Sequence, residues 1–276
     1  MPATFTPIRY PGGKTKLYSF LRDLLQKNDL LKGTYCEPFA GGAGLALKLL
    51  EKGDVTHLVL NDADPAIYAV WDLILHSPDD LCEFIKEVDV TIDEWDRQKQ
   101  IYFERDKYTS SDLGKATFFL NRTNVSGVIT GGVIGGRAQK GNYKIDARFN
   151  KESLIKKIMI ISALQDRVDL YNFDVLDMME QIFPGLEDRT LINFDPPYVS
   201  KGNQLYKNSF TKDDHKKLRD RIAECDKKWI VTYDVCELVK GLYEDFRGGF
   251  IDVYYSANEI RKAQEYVFYS NNLIIE

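Results

Sequence analysis

The order of hydrophobic and polar positions divides the chain into helices and strands. Leucine and phenylalanine recur at spacings of three, four and seven over residues 16–25, which predicts an amphipathic helix. Residues 34–39 read as a short apolar strand, a glycine turn follows, and residues 45–52 predict a helix that ends at Gly53. A second apolar strand covers residues 57–60. This succession of strand, glycine turn, helix and strand is typical of half of a nucleotide-binding α/β sheet.

The pattern changes in the middle of the chain and then returns. Residues 66–122 are charged, with aromatic residues at helical spacings, and the glycine-rich segment at 124–145 predicts a β-hairpin with a mobile tip. Further strands are predicted at 167–173, 190–194, 228–232, 250–255 and 266–275. We therefore predict an α/β protein with a Rossmann-like sheet from residues 1–66 and 151–276. A mostly helical lobe with the hairpin is inserted at 67–150.

Composition narrows the class of protein. No apolar run approaches the roughly 18 residues of a membrane span, so we expect a soluble, cytoplasmic protein. The four cysteines form no Cys-x-x-Cys pair and there are three histidines, which indicates neither a disulfide framework nor a metal site. The net charge of −5 argues against nucleic-acid binding, but residues 137–157 carry seven basic and two acidic side chains. That segment is the candidate electropositive surface.

Polar groups follow three of the predicted strands. The sequence DPPY (195–198) comes directly after the apolar strand LINF, and EPFAGGAG (37–44) ends the first strand with a glycine turn that a ligand can approach closely. Asp62 ends the second strand and follows Gly41 by 21 residues, a spacing that suits a carboxylate accepting hydrogen bonds from a ribose. Because open α/β sheets bind ligands at the carboxyl ends of their strands, these groups predict a nucleotide-cofactor site.

Four motifs occur in a fixed order along the chain: RYPGGK (9–14), EPFAGGAG (37–44), NDAD (61–64) and DPPY (195–198). Three further segments accompany them: Asn121-Arg122 with Gly127, NSFT (208–211) and QEYV (264–267). Together they resemble the Dam-type, or D12, class of DNA adenine methyltransferases over nearly the whole chain. The resemblance implies methyl transfer from S-adenosylmethionine to the N6 amino group of an adenine flipped out of duplex DNA, on a Rossmann-like S-adenosylmethionine-dependent methyltransferase sheet.

The resemblance also implies which residues contact the cofactor. Tyr10 and Lys14 would border the cofactor and the target base, and Asp195 would lie beside both. The remaining cofactor contacts would be Glu37, Phe39 and Gly41 to the methionine part, Asp62 to the ribose and Asp174 to the adenine.

The DPPY motif fits the chemistry of an aromatic amino group, which is a poor nucleophile because its lone pair is delocalised. The Asp195 carboxylate and the Pro196 carbonyl are two acceptors for its two hydrogens, and Tyr198 would stack on the extruded base. Pro196 and Pro197 end the strand rigidly. The sulfonium sulfur of the donor is a good leaving group, so neither a catalytic cysteine nor a metal is expected.

The inserted lobe is expected to recognise the DNA target. The resemblance implies that Asn121 and Arg122 open a DNA-contacting hairpin, and the basic side chains that would contact the duplex are Arg137, Lys140 and Lys144. Relatives that methylate GATC carry an aromatic residue and an arginine where this chain has Val125 and Thr130. We therefore expect an adenine-containing target other than GATC, because threonine cannot make arginine's bidentate contact to guanine.

Two alternative functions stay open at this point. An RNA adenine methyltransferase would share the cofactor turn and the proline motif, although the predicted hairpin favours duplex DNA. A catalytically silent DNA-binding relative would keep the motifs, but the intact Asp195, Tyr198 and Asp62 weigh against it. We expect a monomeric, bacterial or phage-encoded enzyme that acts on double-stranded DNA. Whether a cognate restriction endonuclease is its functional partner is left open.

Overall fold

A computed structural model of the protein describes residues 5–10, 14–199, 210–255 and 261–275. These residues form two compact units, Met1–Gly13 with Asp64–Leu170 and Lys14–Ala63 with Tyr171–Glu276. Within the described ranges, no helix is both long and apolar enough to cross a membrane. The functional division of the chain at residues 67–150 stays a prediction.

Seven strands form one sheet: β1 (Thr34–Glu37), β2 (His57–Asn61), β3 (Val168–Tyr171), β4 (Thr190–Phe194), β5 (Lys228–Asp234), β6 (Arg247–Tyr255) and β7 (Arg261–Tyr269). Their order is β3-β2-β1-β4-β5-β7-β6. Strand β1 pairs in parallel with β2 and β4, β4 pairs in parallel with β5, and β7 runs antiparallel to both β5 and β6. This is the Rossmann strand order with an antiparallel strand inserted near one edge, so the predicted α/β fold is confirmed.

The described residues contain the α-helices α1 (Tyr18–Lys27), α2 (Gly44–Lys52), α3 (Pro65–His76), α4 (Pro78–Glu87), α5 (Ile92–Phe103), α6 (Ser110–Thr123), α7 (Lys151–Ser162), α8 (Val175–Gln181), α9 (Lys212–Ala223) and α10 (Glu237–Leu242). A short 3-10 helix, Lys14–Leu17, precedes α1. Strands β1, β2 and β4 to β7 belong to the unit formed by Lys14–Ala63 and Tyr171–Glu276. Helices α3 to α7 belong to the unit formed by Met1–Gly13 and Asp64–Leu170.

The central strands are buried and mostly apolar because both faces of the parallel sheet are covered. Every residue of β1 and β4 is buried, as the continuous apolar runs predicted. Large aromatic residues fill the layer beside β5, where Trp229 and Tyr233 are buried and the Tyr243 and Phe268 rings stack with centroids 4.8 Å apart. Polar side chains interrupt this pattern at several positions, among them Glu37 at the carboxyl end of β1.

The helical unit is held by close helix contacts. Gly114 of α6 lies against α3, where a Cβ would come within 2.7 Å of the Ala69 carbonyl oxygen and 2.6 Å of the Leu73 side chain. A larger residue would therefore force α6 away from α3. Helix α3 itself begins at Pro65, and the Asp64 side chain caps it by accepting a hydrogen bond from the Ala66 N–H.

The predicted β-hairpin at 124–145 is wrong in its details. One isolated antiparallel bridge joins Asn124 to Val133, and the rest of this glycine-rich segment consists of a 3-10 helix at Val125–Gly127, turns, bends and irregular chain. Left-handed backbone at five positions bends the chain away from a ladder: Ser126, Gly127, Gly135, Gly136 and Gln139. The Asn124 side chain stabilises the turn within this bridged segment by donating to the carbonyls of Val128 and Ile129 at 2.9 and 2.8 Å. Glycine and β-branched residues therefore indicated a hairpin where side chains instead stabilise turns.

The last strand lies earlier in the chain than predicted. The apolar pattern indicated residues 266–275, whereas β7 is Arg261–Tyr269. A turn at Asn271 and Asn272 ends it, and the side chain of Asn28 fixes the following residues by bonding to the backbone N–H and carbonyl of Ile274. Glu265 is consequently an interior residue of a strand.

Candidate active site

Asn61 connects the loops after three strands. It is fully buried at the end of β2, where its amide donates to the carbonyl of Pro38 at 3.0 Å and to that of Phe173 at 3.1 Å. Its carbonyl oxygen accepts from the Phe173 N–H at 2.8 Å. One side chain therefore fixes the loops after β1 and β3 against β2. Sequence reasoning placed Asn61 in a motif but gave it no role.

The glycine turn after β1 adopts left-handed backbone at two positions. Gly41 has φ +46° and Ala43 has φ +43°, a conformation that costs a non-glycine residue roughly 1 kcal/mol. The Gly41 N–H donates to Asp62 Oδ2 at 2.9 Å, so the turn contacts Asp62, the residue predicted to bind the ribose. Helix α2 begins immediately afterwards at Gly44 without a side-chain cap. Its first N–H groups are therefore oriented to bind an anionic group.

Glu37 ends β1 as a buried acid, with 7% of the residue exposed. Burial raises the pKa of its carboxyl group to about 8, and the nearby Asp195 carboxylate adds to this, whereas the Tyr35 hydroxyl and the Ala46 N–H lower it. Among the residues that the structure describes, no cation forms an ion pair with Glu37. A ligand with a positive charge would favour the ionised form.

Aromatic side chains lie around the same strand ends. The rings of Phe39 and Phe210 meet edge to face with centroids 6.0 Å apart, and Tyr171 stacks on Phe173 at 5.8 Å. Asp174 is exposed and caps α8, because its carboxylate accepts from the Leu176 N–H at 2.9 Å. The predicted role of Asp174 toward an adenine ring stays a prediction.

A cluster of charged side chains surrounds Lys14. Its Nζ donates to the Tyr198 hydroxyl at 2.6 Å and to Glu265, and lies 3.2 Å from Asp195 Oδ1. The Tyr198 hydroxyl in turn donates to the other oxygen of Glu265. The Lys14 and Glu265 side chains are buried, whereas 25% of the Asp195 side chain is exposed. Asp195 is thus the carboxylate of this cluster that a ligand can reach.

Asp195 is held on one oxygen. Thr232 of β5 donates its hydroxyl to Asp195 Oδ1 at 2.9 Å, and Lys14 approaches the same atom. In the described part of the chain both contacts are to Oδ1, which leaves Oδ2 for a ligand. Burial raises the pKa of Asp195, Lys14 lowers it and Glu265 raises it. The acidity of this carboxyl group therefore depends on two neighbours of opposite charge.

The segment after DPPY is tied to β5. The Val199 N–H donates to Asp234 Oδ1 at 3.0 Å, which fixes the chain immediately after Tyr198. One residue before Asp234, the Tyr233 hydroxyl bonds to His215 Nδ1 at 2.7 Å in the interior. Sequence reasoning missed Thr232, Asp234 and Glu265 as site residues. The signal that could have found them is a polar side chain that interrupts an apolar strand.

The structure brings together the predicted residues of the sheet unit. Lys14 contacts both Asp195 and Tyr198, and Asp195 lies close enough to Glu37 to help raise the pKa of the Glu37 carboxyl. The buried Pro196 and the half-buried Pro197 complete the strand end. Tyr10 belongs to the other unit. Within the described ranges, no group of three or more histidine, cysteine or acidic side chains is placed to hold a metal ion.

Asn121 and Arg122 bond to the protein backbone. Asn121 is 2% exposed, its carbonyl accepts from the Arg9 N–H, and its amide donates to the carbonyls of Arg9 and Gly127. Arg122 donates to the carbonyls of Arg148 and Pro7, and burial together with the neighbouring arginines lowers its pKa to about 10. In this structure both side chains hold the start of the glycine-rich segment in place.

The three basic side chains predicted to contact DNA are exposed, but they differ in their partners within the protein. Arg137 forms a forked ion pair with Asp96 of α5, with N···O distances of 2.7 and 2.8 Å. Lys144 donates to the carbonyl of Gln139 at 2.5 Å, and Lys140 is exposed. The contact of each with DNA stays a prediction.

Comparison with known proteins identifies the family. The chain is 24% identical over 242 residues, 80% of each protein, to the Type II methyltransferase M.MjaIII of Methanocaldococcus jannaschii. Two solved structures cover most of the chain: a Pyrococcus horikoshii protein provisionally assigned as an RNA methyltransferase and the rRNA methyltransferase aviRa of Streptomyces viridochromogenes.

The first structure is 8% identical with a TM-score of 0.43, and the match covers 95% of this chain and 83% of that protein. The second is 12% identical with a TM-score of 0.38, and the match covers 94% of this chain and 85% of that protein. At these scores the likeness carries no argument about activity. The model of the D12 class N6 adenine-specific DNA methyltransferases, by contrast, matches residues 10–260. The protein is therefore a methyltransferase, and it belongs to that D12 class.

Proposed function

We propose that the protein transfers a methyl group from S-adenosylmethionine to the N6 amino group of an adenine in duplex DNA. The observation that carries the proposal is the Asp195 carboxylate. It lies at the end of β4, is held on Oδ1 by Thr232 and Lys14, and has Oδ2 available for a ligand. It is flanked by a tyrosine whose ring can pack against a base.

The residues at the strand ends fit the proposed cofactor. S-adenosylmethionine supplies an electrophilic methyl group on a sulfonium sulfur, together with an ammonium group, a carboxylate and a ribose. The buried carboxylate of Glu37 matches the ammonium group, and the uncapped start of α2 matches the carboxylate. Asp62, held beside the glycine turn by the Gly41 N–H, matches the ribose hydroxyls.

The protein's own groups would act on the amino nitrogen. Asp195 Oδ2 and the Pro196 carbonyl would each accept a hydrogen bond from the amino group. These bonds reduce delocalisation of the lone pair into the ring and make the nitrogen more nucleophilic. Asp195 must be ionised to accept, and Lys14 at 3.2 Å favours the ionised form. A proton released from the nitrogen would be held at Oδ2.

Target recognition is assigned to the insertion at residues 67–150. Its glycine-rich segment presents the exposed Lys140, Lys144 and Arg137, and the surface of Val125 is 47% exposed. Exposed cations beside an irregular loop suit a nucleic-acid backbone and a base edge. We expect the enzyme to act on the duplex as a monomer.

Methyl transfer to matched substrates tests this proposal. Purified protein with labelled S-adenosylmethionine would be given duplex DNA of random sequence, the same single strands, and RNA of the same sequence. We expect label in the duplex, and N6-methyladenine as the modified nucleoside after digestion. A duplex in which 2-aminopurine replaces adenine lacks the N6 amino group and should accept no label. Preferential labelling of RNA, or of cytosine, would contradict the proposal.

A further inference from the structure

Glu265 is a charged residue at a buried position in the sheet. It lies in the interior of β7, only 1% of the residue is exposed, and across the ladder it is paired with Asp234 of β5. Two carboxylates at paired positions repel each other, and a buried carboxylate is strongly unfavourable unless donors and a cation compensate it. Packing of the strand therefore gives no reason for a glutamate here.

Two described groups that compensate Glu265 lie beside Asp195. Lys14 donates to one of its oxygens, and the Tyr198 hydroxyl donates to the other. Lys14 also contacts the Tyr198 hydroxyl at 2.6 Å and approaches Asp195 Oδ1 at 3.2 Å. The ammonium group therefore donates hydrogen bonds to Tyr198 and Glu265 and forms an ion pair with Asp195. Glu265 thus fixes the direction of the Lys14 ammonium and of the Tyr198 ring.

We propose that Glu265 is a positioning residue for methyl transfer: it shares the Lys14 ammonium with Asp195, holds the Tyr198 hydroxyl, and so sets the basicity of the acceptor carboxylate. This inference rests on the proposed function, in which Asp195 accepts hydrogens from the amino group. A glutamate that served only to neutralise Lys14 would affect folding but not the acidity of Asp195.

The electrostatics give Glu265 and Lys14 opposite effects. Glu265 raises the pKa of Asp195 and Lys14 lowers it. Among the residues that the structure describes, further titratable groups that face this cluster are Glu37, Asp234, Tyr35 and Tyr233. Burial raises the pKa of Tyr35 and Tyr233 well above the ordinary value, so these two stay neutral at physiological pH. Glu37 would be ionised by the ammonium group of the cofactor, so rates at saturating cofactor separate its titration from that of Asp195.

The experiment measures single-turnover methyl transfer to a duplex as a function of pH, with saturating S-adenosylmethionine. In Glu265→Gln the acid limb of the profile should move to lower pH, by about one unit, because a repelling charge is removed from Asp195. The plateau rate should fall about threefold to tenfold, because a weaker base is a poorer acceptor. In Lys14→Met the acid limb should move to higher pH.

Two further variants separate charge from geometry. Glu265→Asp keeps the charge but shortens the side chain, so the acid limb should stay at the wild-type pH while the rate falls through loss of the Tyr198 contact. Gln264→Ala, on the same strand at an exposed position, should leave the rate and the profile unchanged. Thermal unfolding of each variant shows whether it folds.

The outcomes distinguish this inference from the proposed function. An acid limb that stays in place in Glu265→Gln, or moves to higher pH, would overturn the positioning role, whether or not the unfolding midpoint falls. If Asp195→Asn abolishes transfer in the same assay, the proposed acceptor stands even when the positioning role fails. If Asp195→Asn retains transfer, the proposed acceptor itself is wrong.

Discussion

The strand ends of the sheet and the glycine-rich segment use polar side chains in different ways. At the strand ends, side chains contact one another, as Lys14 does with Asp195 and Glu265. In the glycine-rich segment Asn124 and Gln139 bond instead to the backbone around them, and Gln139 donates to the carbonyls of Ile134 and Gly136. The difference follows from backbone hydrogen bonding. A ladder satisfies the strand backbone, so its side chains are available for ligands, whereas an irregular loop requires its side chains to satisfy its own backbone groups.

This comparison predicts that substitutions at the strand ends change chemistry, and the largest effect is expected at Asp195. Asp195→Ala removes the acceptor, and transfer should fall by a factor on the order of a hundred or more. S-adenosylmethionine binding, measured by calorimetry, should stay within about threefold of the wild type because Glu37 and Asp62 are intact. A variant that methylates DNA at nearly the wild-type rate would place the acceptor elsewhere.

Asn61 tests whether a strand-end residue can also act through the backbone. Asn61→Ala removes three buried hydrogen bonds, and unfolding in urea should show a loss of about 2 to 4 kcal/mol. Cofactor affinity should fall as well, because the loops after β1 and β3 are released.

Asn28 provides the matched control for Asn61. It is also buried and makes three bonds to backbone groups, but away from the predicted cofactor residues. Asn28→Ala should be destabilising by a similar amount and leave cofactor affinity unchanged. Equal losses of affinity in the two variants would show that the effect is only one of general stability.

Glu37 should make cofactor binding release protons. Its pKa is raised to about 8, so near neutral pH the carboxyl is largely protonated before the ammonium group of the cofactor arrives. Calorimetry in buffers of different ionisation enthalpy should show about one proton released per cofactor bound at pH 7, and none in Glu37→Gln.

The same group predicts a stability change with pH. Because the folded-state pKa lies above the ordinary value of 4.5, its stabilising contribution is complete below about pH 4.5 and is lost as the pH rises through about 8. Without cofactor, Glu37→Gln should therefore lose less stability than the wild type over this window. Parallel stability profiles would contradict the raised pKa.

The target sequence tests the glycine-rich segment. Val125 and Thr130 are exposed, and neither can replace an intercalating aromatic ring or an arginine that reads guanine. Loss of such a bidentate contact removes roughly 1 to 3 kcal/mol of discrimination. DNA from cells that express the protein should therefore resist an endonuclease that cuts only methylated GATC. Complete cleavage at every GATC site would refute this prediction.

The smallest effects are expected from the basic side chains of the same segment. Lys140→Ala with Lys144→Ala should weaken duplex binding and lower the slope of log K against log salt by up to about 2. Arg137→Ala should weaken duplex binding only slightly, because the guanidinium group is already paired with Asp96. Asp96→Asn is the matched test: it should strengthen duplex binding if the freed arginine reaches a phosphate. A larger loss in Arg137→Ala than in the double lysine variant would reverse this order.

Site residues could be predicted from the sequence most reliably where they directly follow a strand of the parallel sheet. The residues after β1, β2 and β4 could be placed because parallel apolar runs end at one edge of a sheet, and Lys14 was found through its motif. Thr232 lies near Asp195 because β5 pairs with β4, and Glu265 lies there because β7 pairs with β5; neither pairing is encoded by a local pattern, so neither residue could be placed. The hairpin was predicted wrongly for the opposite reason, since its local composition did not reveal that Asn124 and Gln139 stabilise turns.

The insertion of β7 between β5 and β6 also matters during synthesis on the ribosome. Lys14 and Glu265 are separated by 251 residues, so their contact is among the most non-local in the protein and forms late in folding. The helices and the parallel strands up to β5 can begin to fold while the chain is still emerging. The charge balance around Asp195, however, can form only after β7 has left the exit tunnel and paired with β5. A nascent chain that already carries its cofactor-binding loops would therefore lack this charge balance until β7 has been translated.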